Sequence, residues 1–176
     1  MTYEEAYYHK IMLEIGLTDK FDEAFDNMLE HEDPLSDLAL SLTTCGGDRN
    51  RQIHSLNDFI QDIAHDQLDR KAVFSFVADH FRSIYESDPS QLEQITKWMY
   101  SVAWSSGWGD EDPWNTMYLI NDYYNDVSIG LISKESFTEC FVQMIKNKKC
   151  IDPYIKNQTH NTHGVFERIK TFLNLK

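Results

Sequence analysis

Histidine and aspartate residues on predicted helices are the side chains of this sequence best suited to enzymatic chemistry. His65 and Asp66 are adjacent, and imidazole and carboxylate ligands together can hold a metal ion that activates water. Further ligands for such a helical phosphohydrolase site would be His31 or His54 upstream and Asp122 or Asp126 downstream. Histidines and aspartates near helix ends are more commonly solvated caps. A metal-dependent phosphohydrolase using His65 and Asp66 is therefore the alternative prediction, and we expect no metal or other cofactor.

The cysteines give no pattern for nucleophilic catalysis or for a zinc site. Cys45, Cys140 and Cys150 are odd in number and irregularly spaced, and no C-x-x-C pair is present. Such spacing is typical of reduced thiols that lie partly in the core. The sequence places no histidine as a base for Cys45. We therefore predict no catalytic residue, and we expect that the protein is not an enzyme.

A tryptophan-rich segment with acidic residues, WSSGWGDEDPW at 104–114, lies between two predicted helices. Its glycines and proline predict a turn, which can present a large ring at the surface. Trp104 continues the preceding helix and Trp114 starts the next one, so we expect both rings to lie in the core. Asp112 is predicted to cap the second helix.

The residues that remain in this segment are the candidates for binding a partner. Trp108 lies between two glycines and is predicted to be the anchor, since tryptophan is common at the centre of protein interfaces. Asp110 and Glu111 would steer a partner or accept hydrogen bonds from it. Three more candidates offer acidic or aromatic side chains on a glycine turn or on the following helix: Asp48, Tyr123 and Asp126.

The elements that must position these residues are predicted to be helices. All four prolines follow aspartate, at 34, 89, 113 and 153. Aspartate is a favourable helix N-cap, and proline is favoured at the first helical position. After the first three of these pairs, apolar residues recur every three or four positions. This spacing predicts that a helix starts at each of the three pairs.

The same apolar spacing predicts the other helices, and no period-two pattern indicates a strand. They lie around residues 8–15, 21–29, 53–63, 69–86, 133–144 and 165–172. The sequence therefore predicts a single all-α domain over residues 1–176, a bundle of about eight short helices in which antiparallel pairs could stack. The polar segment 146–164 is expected to be its most mobile part.

Charge is the strongest bulk property of the chain, with a formal net charge of −13. Residues 1–48 hold twelve acidic residues against two lysines, whereas residues 144–176 are net basic. An acidic surface repels phosphates, so we expect no direct nucleic-acid binding and instead attraction of a basic partner. The alternative is that the acids only confer solubility. No stretch is apolar enough to span a membrane, and the first residues lack signal-peptide features, so a cytoplasmic protein is expected.

A small, acidic, single-domain protein without a catalytic motif resembles the immunity proteins of bacterial polymorphic toxin systems, including contact-dependent growth inhibition. The segment PLSDLALSLTTCGGD, at 34–48, is similar to helical families with that role. The likeness continues to Asn57-Asp58-Phe59 and extends through Val142, including the tryptophan-rich segment. The resemblance implies tight binding to one cognate toxin, often a basic nuclease, whose active site is covered. A general helical adaptor is a further alternative.

Overall fold

A computed structural model of the chain describes residues 1–61, 63 and 65–154, without the side chain of Asp66. Within these residues it contains eight α-helices and two short 3-10 helices, and no strand. The prediction of an all-α domain with about eight helices is therefore confirmed. The helix predicted around 165–172 lies outside the described residues, as do residues 155–164 of the polar segment.

The eight helices are short, and most are joined by connections of a few residues. In chain order they are α1 Tyr3–Glu14, α2 Asp19–His31, α3 Asp37–Thr43, α4 Arg49–Ile60, α5 Arg70–Ser87, α6 Leu92–Ser106, α7 Trp114–Ser128 and α8 Lys134–Asn147. The 3-10 helices are His65–Gln67 before α5 and Pro89–Gln91 before α6. None of the helices in this part of the chain is long and apolar enough to cross a membrane.

Side-chain caps define several of the helix starts. Asp69 caps α5 at the start expected from the apolar spacing, and Ser133 caps α8. Asp88 caps the 3-10 helix that starts with Pro89. The expectation that Asp33-Pro34 starts a helix is wrong, because α3 begins at Asp37 and its cap is Ser36, whose hydroxyl accepts the backbone N–H of Ala39. Ser36, which directly precedes α3, is thus the N-cap instead of Asp33.

Helix α1 lies at the centre of the bundle. Seven of its 12 residues are buried, and it packs against α2, α4, α5 and α6. Helices α6 and α7 pack closely against each other as a helical hairpin, connected by residues 107–113. The tryptophan-rich segment is therefore the connection of this hairpin together with its two flanking turns.

Candidate partner-binding cleft

The two tryptophans at the end of α6 have the opposite environments from those predicted. Trp108, the predicted surface anchor, is only 1% exposed, whereas Trp104, the predicted core residue, is 68% exposed. Both predictions are wrong. Trp114 is buried at 1% exposure, as predicted.

Trp104 is exposed because of its position around α6. The buried face of this helix is formed by residues spaced three or four apart: Ile95, Met99, Val102 and Ser106. Trp104 lies two residues from both Val102 and Ser106, which places its side chain on the opposite side of the helix. The apolar stripe of α6 therefore leads into the core without including Trp104.

Trp108 is buried because the chain reverses direction immediately before it. Gly107 ends α6 in the left-handed conformation, with a φ of 71°. A side chain is disfavoured in that conformation, so glycine suits this position. The backbone N–H of Trp108 then donates to the Ser106 hydroxyl at 3.2 Å. This turn directs the Trp108 ring inward.

The Trp108 ring joins distant parts of the chain. Its centroid lies 4.9 Å from that of Tyr7, 4.9 Å from that of His65 and 5.1 Å from that of Trp114. The guanidinium carbon of Arg70 lies 5.6 Å from the ring centroid. Aromatic contacts at these separations contribute beyond simple burial. Trp108 thus anchors the hairpin connection to α1 and to the start of α5.

The proposed metal ligand His65 belongs to this packing. Its Nε2 lies 3.1 Å from the Tyr7 hydroxyl, and its ring stacks on Trp108. The side chain of Asp66 lies outside the described part of the structure. In the part that is described, no group of three or more histidine, cysteine, aspartate or glutamate side chains is placed to hold a metal ion.

Two of the cysteines are held as thiols. Burial raises the pKa of Cys140 to about 12. Burial also raises the pKa of Cys150, although a hydrogen bond with Thr116 opposes this effect. A thiol with a raised pKa is a weak nucleophile at neutral pH because little thiolate is present.

The exposed Trp104 ring forms one wall of a surface cleft between α6 and α7. The cleft has a volume of about 440 Å³ and is lined by Ala103, Trp104, Gly107, Gly109, Asp110 and Tyr118. The Trp104 ring stacks on Tyr118 at a centroid distance of 6.3 Å, and Tyr118 contacts Tyr100 at 5.0 Å. Three aromatic rings thus follow one another along this face, beside two glycines that add no side chain.

The charges around the cleft are negative. Of the described residues that line it, Asp110 alone is charged, and it is exposed. Among the described residues it has no ion-pair partner. The pKa of Tyr100 is raised, first by a hydrogen bond with Tyr118, with the charge of Asp122 acting in the same direction. The cleft therefore combines aromatic surface with a carboxylate that no described residue pairs.

The other two acids of the segment have partners within the chain. The Asp112 carboxylate accepts the backbone N–H of Thr116 at 3.2 Å and its hydroxyl at 2.8 Å, so it bonds to the first turn of α7, although the N-cap position itself is Pro113. Glu111 forms an ion pair with Arg70 at 3.1 Å, although the glutamate side chain remains exposed. Glu111 is therefore less available to a partner than the sequence suggests.

The remaining predicted site residues lie in two other places. Asp48 caps α4 by accepting the backbone N–H groups of Asn50 and Arg51, and α4 packs against α1 and α3. Tyr123 and Asp126 are brought together by Tyr154, whose ring packs edge-on against Tyr123 and whose hydroxyl donates to Asp126. Of the predicted site residues, Asp110 thus lines the cleft, whereas Asp48, Tyr123 and Asp126 make local contacts elsewhere.

Comparisons with protein-family models, curated proteins and solved structures found no match to the chain. The residues that sequence reasoning missed are Trp104, Tyr118 and Tyr100. The signal for Trp104 was available in the sequence, because its position falls outside the three-and-four spacing of the α6 apolar face.

Proposed function

We propose that this chain is a non-enzymatic protein-binding protein that binds a basic partner through the Trp104 cleft. The proposed role is that of an immunity protein, whose partner is a cognate toxin with a basic surface. The observation that carries the proposal is the 68% exposure of Trp104 within an aromatic cleft that also holds Asp110, which has no ion-pair partner among the described residues.

An exposed tryptophan is a substantial source of binding energy. A tryptophan side chain has roughly 150–250 Å² of surface, and burial contributes about 25 cal/mol per Å². Covering the exposed two-thirds of Trp104 is therefore worth about 3 kcal/mol, which corresponds to roughly 100-fold in Kd. Tryptophan is for this reason enriched among the few residues that dominate interface energies.

The charge distribution indicates the kind of partner. The chain has a net charge of −13, and the charged group that lines the cleft is a carboxylate. Such a field accelerates association with a basic surface and slows association with an acidic one. A basic nuclease toxin has the charge that this surface attracts, which agrees with the resemblance to immunity proteins.

The test is a binding measurement with a purified partner. A protein that co-purifies with the chain from its host would be purified separately, and its Kd would be measured by calorimetry for the unchanged chain and for two variants. Trp104→Ala should weaken binding by roughly 10- to 100-fold. Ile129→Ala is the matched control, since Ile129 is 69% exposed on the connection between α7 and α8.

Two results would contradict the proposal. One is a Kd for Trp104→Ala equal to that of the unchanged chain, which would remove the cleft from the interface. The other is an affinity that does not fall when salt is raised, because steering of a basic partner by an acidic surface is screened by salt.

A further inference from the structure

We infer that the Trp104 cleft receives an arginine side chain of the partner, with the guanidinium stacked on the Trp104 ring and paired with the Asp110 carboxylate. This inference rests on the proposed function and specifies which group of the partner enters the cleft. A comparable arrangement is present where the start of α5 meets the same hairpin connection.

The internal arrangement involves Trp108, Arg70 and Glu111. The Arg70 guanidinium lies over the Trp108 ring, with its central carbon 5.6 Å from the ring centroid. The same guanidinium places Nη1 3.1 Å from Glu111 Oε2. One arginine thus satisfies an aromatic face and a carboxylate at once. Tryptophan is the aromatic side chain that attracts cations most strongly.

The Trp104 cleft has the same two components without the cation. Trp104 provides the exposed aromatic face, and Asp110 provides a carboxylate on the same cleft. Within the described part of the chain, no lysine or arginine lines the cleft. Helix α6 contains one basic residue, Lys97. Its ammonium group is paired with the Glu93 carboxylate at 2.7 Å. None of the described residues therefore supplies a cation to Trp104, and we assign that role to the partner.

Arginine fits this cleft better than lysine or an apolar side chain. Its guanidinium is planar, stacks on aromatic rings and pairs with a carboxylate through a fixed set of donors. Lysine has a compact, strongly hydrated ammonium group, which stacks less well. An apolar side chain would cover Trp104 but would also remove water from Asp110 without giving it a hydrogen-bond donor.

The experiment uses small probes on the full chain, observed through the indole N–H signal of Trp104 in NMR spectra. The probes are the N-acetyl amides of arginine, lysine, leucine and citrulline, the last having the shape of arginine without its charge. The Trp104→Ala variant assigns the signal. The indole signals of Trp98, Trp108 and Trp114 are internal controls, and Trp108 and Trp114 are buried.

Arginine amide should shift the Trp104 signal in a saturable way, with an affinity roughly 5-fold or more above that of citrulline amide. Asp110→Asn should weaken arginine binding by about 2- to 5-fold and leave citrulline binding unchanged. Asp22→Asn, which neutralises an exposed acid on α2, is the matched control and should have no effect.

Equal affinities for arginine and citrulline, or tighter binding of leucine amide, would overturn the inference. The absence of any saturable shift would overturn it as well. None of these results would contradict the proposed function, because that proposal is tested by the Kd of the purified partner. Conversely, selective arginine binding together with an unchanged partner Kd for Trp104→Ala would support the chemistry of the cleft and refute the proposed function.

Discussion

Replacement of Trp108 by alanine should destabilise the fold, whereas the same replacement at Trp104 should not. The two tryptophans are four residues apart, but Trp108 is 1% exposed and Trp104 is 68% exposed. Trp108→Ala removes ring contacts with Tyr7, His65 and Trp114 and leaves Arg70 without its aromatic face. Trp104→Ala removes only the stacking on Tyr118.

The expected magnitudes are well separated. Truncating a fully buried tryptophan to alanine costs about 3–5 kcal/mol, because transfer energy is lost and a cavity remains. In a domain of this size, 1 kcal/mol shifts Tm by roughly 2–4 °C, so Trp108→Ala should lower Tm by about 10 °C. A surface substitution usually changes stability by less than about 0.5 kcal/mol, so Trp104→Ala should shift Tm by no more than about 2 °C.

The assay is thermal and urea unfolding, followed by circular dichroism, of the unchanged chain and of both variants. If Trp108→Ala does not fold, Trp108→Phe provides a milder variant whose stability can be measured, because it keeps a ring but loses part of the contact area. Equal Tm values for Trp104→Ala and Trp108→Ala would refute the assignment of one ring to the core and the other to the surface. A stable Trp108→Phe and a destabilised Trp104→Ala would show that Trp104 lies in the core and Trp108 at the surface.

Two further predictions concern stability. Burial lowers the pKa of His9 from 6.5 to about 4, so the folded state keeps this imidazole neutral while the unfolded chain binds a proton. The contribution of neutral His9 to the free energy of unfolding is therefore complete above about pH 6.5 and is lost as the pH falls towards 4. The loss amounts to about 2 kcal/mol by pH 5. Urea unfolding at about pH 7.5 and pH 5 should show that His9→Gln loses less stability on acidification than the unchanged chain, and equal losses would contradict this. Asp112→Ala should lower the unfolding free energy by about 1 kcal/mol through loss of the α7 cap, whereas Asp110→Ala, the matched control, should leave it unchanged. Equal effects of these two variants would contradict the capping role.

The sequence was sufficient to predict where the helices lie because that information is local. Apolar spacing identified α5, with a start near Asp69, and α8, with a start near Ser133. The same local signals misplaced the start of α3, since Ser36 and Asp33 are both acceptable caps and only packing decides between them. Existence of the elements was therefore predictable, and some of their boundaries were not.

The environments of the tryptophans depend on information that is not local. Trp108 is buried by partners on α1 and α5 and near residue 65, and these are far from it in the sequence. Glycines on both sides favour an exposed turn on composition alone, but Gly107 in fact reverses the chain toward the core. Trp104 was different, because counting positions around α6 from Val102 and Ser106 would have placed it on the exposed side.

The buried and exposed parts of the hairpin connection support each other. Trp108 holds the connection against α1, and Asp112 holds it to the first turn of α7. Trp104 lies on a regular helix rather than on the loop, and its ring is backed by Tyr118. A binding surface held on rigid elements loses less conformational freedom when a partner binds, which strengthens the affinity. Trp108→Phe should therefore weaken the proposed partner binding even though its ring does not reach the surface, while Trp104→Ala should weaken binding with little change in stability. That difference separates the residue that positions the cleft from the residue that makes the contact.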